Sequence, residues 1–157
     1  MREIPLEPSA ADIITKMRNI PALAPLGDKL LTEVVGLSRL RKYAKDEVII
    51  EEGAQDSWLY FLVLGELSVE HQGVVVHTLK AFGEMFGEMG LIDGSPRSAT
   101  VKAVASSVCL ALDAALFSKL EPADRAALKA ALNEIILAHM AERLREMDRK
   151  LAERGPA

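Results

Sequence analysis

The residues that could bind a ligand are concentrated in one stretch, residues 86–101. It reads Phe-Gly-Glu-Met-Gly-Leu-Ile-Asp-Gly-Ser-Pro-Arg-Ser-Ala-Thr-Val. The pattern predicts that Gly87 follows a strand and opens a short helical turn, whose first N–H groups have no internal partner. Together with the helix dipole these groups attract an anion, and a glycine lets the backbone approach that anion closely. The stretch therefore predicts an anion site.

Two charged side chains accompany this site. Arg97 follows a turn rich in Asp, Gly, Ser and Pro, and we expect it at the start of the next strand. Its guanidinium fork is well suited to a phosphate. Glu88 offers only acceptors, and sugar hydroxyls are donors. An anion site, an acceptor and an apolar barrel wall together predict a pocket for a phosphorylated sugar that carries a flat base.

The same two charges allow a simpler interpretation. Glu88 and Arg97 could form a structural ion pair, which contributes about 0–1 kcal/mol when exposed. Such a pair requires neither the glycines nor the Pro-Arg-Ser-Ala-Thr continuation. We therefore favour the ligand site.

Metal binding and catalysis are not expected. His71 and His77 flank the predicted hairpin turn Gln72-Gly73, and strand alternation places them on opposite faces of the ribbon. With three His and one Cys, the chain shows no recognisable combination of nucleophile, base and orienting acid.

Composition limits the class of protein. The chain has 157 residues, of which 50% are hydrophobic and 27% charged, and this favours one folded domain over a disordered or membrane chain. A net charge of −4 without a basic cluster argues against nucleic acid as a partner. No apolar run approaches membrane-helix length, no leader is evident, and Cys109 is the sole cysteine. We expect a cytoplasmic protein with no membrane contact.

The N-terminal region predicts two short helices. Ser9 followed by Asp12 resembles a capping box that opens the first helix. The second covers residues 28–35, with its N-cap at Asp28 and its end at Gly36.

The middle of the chain predicts short strands. The predicted strands are residues 48–50, 58–64, 67–71, 74–79, 98–103 and 107–112. Gln72-Gly73 is a good hairpin turn. This spacing predicts a mainly β fold, a small antiparallel barrel or sandwich with flanking helices.

The C-terminal region predicts two further helices. Asp113 can cap a helix over residues 114–120, and Pro122 opens a helix to about Glu153. The second helix would be about 45 Å long, against a radius of gyration of about 15 Å for such a chain, so it overhangs its domain. Its apolar residues form a two-heptad seam, made by Leu137, Met140, Leu144, Met147 and Leu151. The seam predicts a homodimer; the alternative is a helix folded back on the barrel.

Residues 86–101 resemble the phosphate-binding cassette of cyclic nucleotide-binding domains. That pattern is Phe-Gly-Glu, two or three apolar residues, a short turn, then Pro-Arg, a small residue, Ala, and Thr or Ser. The interval from Glu88 to Arg97 is the family's, and turn glycines at Gly53 and Gly65 extend the similarity. The resemblance implies an antiparallel β-roll, a double-stranded jelly-roll barrel. It predicts an N-terminal helical extension (1–19), the binding roll (20–125) and a C-terminal lid and dimerisation helix (122–157).

The resemblance also implies residue roles. Glu88 accepts a hydrogen bond from the ribose 2′-hydroxyl, Arg97 pairs with the cyclic phosphate, and backbone N–H groups support the same ligand. The implied ligand-binding residues are Gly87, Glu88, Met89, Gly90, Arg97, Ser98 and Ala99. Ser98 stands where the family often has Ala or Thr, and a serine there could serve either base. We expect cyclic AMP (cAMP) rather than cyclic GMP (cGMP) only because cAMP is the more frequent ligand of the family.

Two departures affect the expected base pocket. One residue more than usual separates Leu79 from Gly83, and this predicts a bulge in the lining strand. The last helix has no aromatic residue to stack on the base. Its candidate contacts are Ile135, Ile136, His139 and Met140.

The sequence thus predicts a non-catalytic sensor for a cyclic nucleotide. Binding would shift the C-terminal helix and so signal to a dimer partner or an effector protein. No kinase, channel or helix-turn-helix segment follows the helix, so we expect the output to go to a separate partner. The alternatives are a ligand-free structural interaction module on the same fold, and an enzyme that turns over the nucleotide.

Overall fold

Two antiparallel sheets make up the β part of the fold in the computed structural model, which describes residues 1–7, 10–88 and 94–155. The first sheet has the order β1-β2-β9-β4-β7 and the second β3-β8-β5-β6. The strands are β1 (Arg2–Ile4), β2 (Arg39–Tyr43), β3 (Val48–Ile50), β4 (Trp58–Leu64), β5 (Leu67–His71), β6 (Val74–Leu79), β7 (Met85–Phe86), β8 (Thr100–Ala103) and β9 (Ser107–Asp113). The predicted β-roll with flanking helices is confirmed.

Helices flank the roll at both ends of the chain. They are α1 (Ala10–Arg18), a 3-10 helix (Pro21–Leu26), α2 (Gly27–Leu37), a second 3-10 helix (Ala114–Lys119) and α3 (Pro122–Arg154). The Asp113 carboxylate accepts a hydrogen bond from the Ala115 N–H at 3.0 Å, which confirms the predicted cap. No helix in the described ranges is long and apolar enough to cross a membrane.

Strand β4 is almost continuously apolar in sequence because both of its faces are buried. Successive side chains of a strand point to opposite faces. Leu59 and Phe61 face a core shared with the helices, whereas Tyr60 and Leu62 face the core between the two sheets. Both faces are therefore buried, as continuous apolar strands require.

Cys109 on β9 is a structural residue. It is completely buried in the core between the sheets, and burial raises the pKa of its thiol to about 12. A buried free cysteine of this kind packs as a small apolar side chain.

Helix α3 has two different halves. Its first half packs on the N-terminal helices through Leu128, Ala131, Leu132 and Ile136, all buried. The seam residues Leu137, Met140, Leu144, Met147 and Leu151 are between 38% and 67% exposed. The first half of the helix is thus packed into the core, whereas the seam residues of the second half stay largely exposed within the described chain.

Some predicted boundaries are wrong. Helix α2 begins at Gly27 because it continues directly from the preceding 3-10 helix, so its N-cap is Leu26 and Asp28 lies in the first turn. The helix also continues past Gly36. The predicted capping box at Ser9 lies outside the described residues.

Three strands were not predicted, and one begins later than expected. Strands β1, β2 and β7 are new; in β2 the apolar residues Leu40 and Tyr43 are three positions apart and do not form a period-two pattern. Strand β8 begins at Thr100 and not at residue 98; before it, the backbone of Arg97 is hydrogen-bonded to Gly53 and Ala54.

Candidate functional site

A cavity of about 610 Å³ lies between the second sheet and helix α3. Its lining includes Gly87, Glu88, Arg97, Ser98 and Ala99 from the predicted site. Met89 and Gly90 lie outside the described residues. The fold therefore brings five of the seven predicted residues to one pocket.

Arg97 is held rigidly in the pocket wall. Only 5% of the residue is exposed. Its Nη1 donates to the Gly87 carbonyl at 2.5 Å and its Nη2 to the Trp58 carbonyl at 2.6 Å. Its Nε donates to an Asp56 oxygen at 3.3 Å, and Nη2 donates to the other oxygen of the same carboxylate. The bidentate pair and the two carbonyls fix the plane of the guanidinium.

Asp56 is the partner that sequence reasoning missed. Burial alone would raise the pKa of its carboxyl, but hydrogen bonds from Arg97 and from the Trp58 N–H hold that pKa below its usual value. The carboxylate therefore stays ionised at neutral pH. The stability it contributes is present above the unfolded-state pKa and is lost as pH falls through the lower folded-state pKa.

Gly87 is required by the close packing of the guanidinium. Its φ is +84°, a conformation that side chains disfavour. A Cβ at this position would lie 2.9 Å from Arg97 Nη1 and 3.1 Å from the Trp58 carbonyl oxygen. The backbone can approach the arginine only because the side chain is absent.

Glu88 is buried but does not pair with Arg97. It is 5% exposed, and its Oε1 lies 3.5 Å from Nδ1 of His139 on α3. Arg97 binds Asp56 instead. The two charges have different partners, so the alternative interpretation as a mutual ion pair is wrong.

The wall formed by β5 and β6 differs from the prediction. Val69 pairs with His77 and His71 pairs with Val74, with a register shift between them. This bulge adds one residue to β6, so both histidines line the pocket instead of facing opposite ways. A bulge was predicted in the strand that lines the base pocket, and the structure has one in β6, between Val75 and His77. Among the described residues, no group of three or more His, Cys, Asp or Glu could hold a metal ion.

One face of α3 closes the pocket. Its lining residues are His139, Arg143, Glu146, Met147, Lys150 and Arg154. Of the four predicted base contacts, His139 lines the pocket, whereas Ile136 is in the helical core with Ile135 packed against it. The half of α3 that borders the pocket is thus more polar than predicted.

The comparisons with known sequences agree with this geometry. The cyclic nucleotide-binding domain family matches residues 40–121. A cyclic nucleotide-gated potassium channel from Mesorhizobium japonicum is 38% identical over 101 residues, which cover 64% of this chain and 28% of the channel. A cAMP-dependent protein kinase regulatory subunit from Debaryomyces hansenii is 35% identical over 95 residues, or 60% of this chain and 19% of the subunit. The chain spans less than a third of these relatives.

Solved structures show the same fold. A cyclic nucleotide-binding domain from Methylobacillus flagellatus superimposes with a TM-score of 0.72 at 21% identity. The match covers 79% of this chain and 74% of that one. The fold is therefore shared at low sequence identity.

Proposed function

The chain belongs to the cyclic nucleotide-binding domain family, and we propose that it is a non-catalytic sensor that binds cAMP in preference to cGMP. The observation that carries this proposal is the pocket in which Gly87, Glu88, Arg97, Ser98 and Ala99 meet under α3. A cavity of about 610 Å³ lies in the usual size range of small-molecule sites. The preference for cAMP is supported by the similarity to the Debaryomyces hansenii subunit.

Each residue has a role in this proposal. The cyclic phosphate lies against Arg97 and the N–H groups of Gly87 and Ala99, with Met89 and Gly90 completing the cassette. The ribose 2′-hydroxyl donates to Glu88, and Ser98 lies near the base. Because Asp56 already orients the guanidinium, binding does not require Arg97 to lose side-chain freedom.

The signal is a displacement of the second half of α3. This half borders the pocket and has no core residues, whereas the first half is anchored to the N-terminal helices. A ligand shifts an equilibrium only through contacts that differ between the two states. Residues 20–125 form the binding unit in this proposal, 1–19 an extension and 122–157 the lid. The protein acts in the cytoplasm on an effector protein, without direct contact to nucleic acid or membrane.

Calorimetric titration of the full chain tests the proposal. We expect one cAMP per chain, weaker binding of cGMP, and recovery of unchanged nucleotide after long incubation. Degraded nucleotide would favour an enzyme. If neither nucleotide gives heat or a thermal shift at millimolar concentration, the ligand-free interaction module is the better account.

The exposed seam of α3 supports the proposed homodimer. With Leu137, Leu144 and Leu151 at a positions, Arg143 is a g residue and Asp148 an e residue of the next heptad. A parallel, in-register pair of helices places each g residue opposite that e residue of its partner. The two charges are complementary. An antiparallel pair would bring g positions together, where Arg143 and Lys150 repel.

Leu144→Glu should convert the dimer to a monomer. The side chain is 61% exposed in the single chain, so the monomer should fold normally. In the dimer the new carboxylate would be buried without a partner. We therefore expect the dissociation constant of the dimer to rise at least about tenfold. Light scattering across a concentration series measures this. Arg149→Gln, on the outer face of the helix and 67% exposed, is the matched control. A monomeric mass for the unmodified chain at high concentration would refute the dimer.

A further inference from the structure

Trp58, the first residue of β4, contacts both Arg97 and the carboxylate that pairs with it. Its N–H donates to Asp56 Oδ1 at 3.0 Å, and its carbonyl accepts from Arg97 Nη2 at 2.6 Å. Asp56 in turn binds the guanidinium through both carboxylate oxygens. A displacement of Trp58 would therefore move the donor that orients Asp56 together with one acceptor of Arg97. The backbone of this one residue thus bears on two of the three groups that hold the guanidinium.

Arg41 of β2 fixes the side chain of Trp58. Its Cζ lies over the indole ring, 4.1 Å from the ring centroid, which is the geometry of a cation–π contact. The Arg41 side chain is only 13% exposed, and its Nε lies 3.4 Å from Oε1 of Glu3 on β1. A cation–π contact is stronger when the cation is shielded from water. The ring at the start of β4 is therefore held in place by a largely buried guanidinium.

Arg41 acts on the site without contacting the cavity. Among the described residues that line the cavity, Arg97 is present, whereas Arg41 and Trp58 are not. Burial raises the pKa of the Asp56 carboxyl, but hydrogen bonds from Arg97 and from the Trp58 N–H hold it below its usual value. The positive charges of Arg97 and Arg41 lower the same pKa. The charge of Arg41 thus favours the ionised carboxylate that orients Arg97.

We propose that Arg41 is a positioning residue for the phosphate site and acts through Trp58 to keep Arg97 oriented. This inference rests on the proposed function, because Arg97 is the residue assigned to the cyclic phosphate. Without the guanidinium over its ring, Trp58 is less restricted, and a smaller fraction of the chains holds Arg97 in the binding geometry. The apparent dissociation constant rises by the inverse of that fraction. The energy of the cation–π contact limits this rise to about tenfold.

Calorimetric titration with cAMP measures the contribution of Arg41. We expect Arg41→Ala to raise the Kd about fivefold. Arg41→Lys keeps the charge but not the planar face, so we expect it to fold and to raise the Kd about twofold to threefold. Arg39→Ala is the matched control, because Arg39 is on the same strand and also pairs with Glu3, and its Kd should not change. An unchanged Kd in the folded Arg41 variants would overturn the positioning role.

A double variant distinguishes positioning from a general loss of packing. If Arg41 acts through Arg97, its removal has little effect once the guanidinium is absent. In the Arg97→Lys background, Arg41→Ala or Arg41→Lys should therefore change the Kd by less than about twofold. A residue with a merely structural role would weaken binding by the same factor in both backgrounds, and that result would refute the proposal.

A measurement without nucleotide separates this inference from the proposed function. The Arg97 Nε–H donates to Asp56, so its hydrogen exchange with water, followed by NMR, should be slow in the unmodified chain. We expect the exchange to be about fivefold faster in Arg41→Ala and unchanged in Arg39→Ala, because local opening exposes this group. Equal exchange rates in the unmodified chain and the Arg41 variants would refute the positioning role. If cAMP fails to bind the unmodified chain while the Arg41 variants still exchange faster, only the proposed function is refuted.

Discussion

Arg97→Ala should weaken cAMP binding by about 1.5–3 kcal/mol or more, which is tenfold to more than a hundredfold in Kd. The guanidinium is the one cation of the cassette that lines the pocket within the described residues. It is fixed there by Asp56 and two carbonyls, so the guanidinium does not have to rearrange to meet the phosphate. Calorimetric titration of both proteins measures the loss.

The substitution also leaves buried acceptors without donors, so folding must be measured beside affinity. Arg97→Lys keeps the charge but cannot bind Asp56 with two parallel bonds. We expect it to fold and to lose most of the affinity. Arg39→Ala is the matched control, because this arginine is exposed and pairs with Glu3 away from the pocket. Unchanged affinity in folded Arg97→Ala or Arg97→Lys would show that the phosphate does not bind here.

Gly65→Ala should lower the free energy of unfolding by about 3 kcal/mol or more. The glycine has a φ of +112°, and an added Cβ would lie 2.2 Å from Ser107 Oγ and 2.7 Å from the Ser107 Cα. Ser107 is completely buried, and its hydroxyl accepts a hydrogen bond from the Glu66 N–H at 3.1 Å. Because a backbone atom is among the contacts, a side-chain rotation cannot relieve the clash.

Thermal unfolding measures this effect, and we expect Tm to fall by roughly 6–12 °C. Gly73→Ala is the control, because Gly73 also has a positive φ, of +80°, but nothing lies within 4 Å of its Cβ position. That variant should lose only about 1 kcal/mol, the cost of the backbone conformation. Equal losses in the two variants would mean that the contact with Ser107 does not constrain the turn.

Local patterns predicted much of the fold. The run Trp58–Leu64 is continuously apolar because both of its faces are buried, and Pro122 marks the start of α3 because it tolerates the first helical turn. Strand β2 was missed because three of its five residues are cations, Arg39, Arg41 and Lys42, and its two apolar residues do not alternate with period two. The local sequence pattern was thus sufficient to predict an element when the pattern of that element alone determined its structure.

The site was predicted only where its residues are neighbours in sequence. Gly87, Glu88 and Arg97 share one motif, whereas Asp56 reaches Arg97 from 41 positions earlier. His139 and Glu88 meet only because α3 folds back across the roll. The bulge in β6 reversed the expected facing of His77, since one extra residue changes the side of every later side chain. These contacts depend on tertiary packing that no local pattern encodes.

An NMR titration of the isotope-labelled full chain with cAMP tests the central claim most directly. The account predicts saturable shifts at the amides of Gly87, Glu88 and Ala99 and at the Arg97 side-chain N–H groups, followed by shifts in the second half of α3. Cys109, on the far side of the inter-sheet core, should change little. An unchanged spectrum at millimolar cAMP, or shifts that leave Arg97 and Glu88 unaffected, would contradict the account.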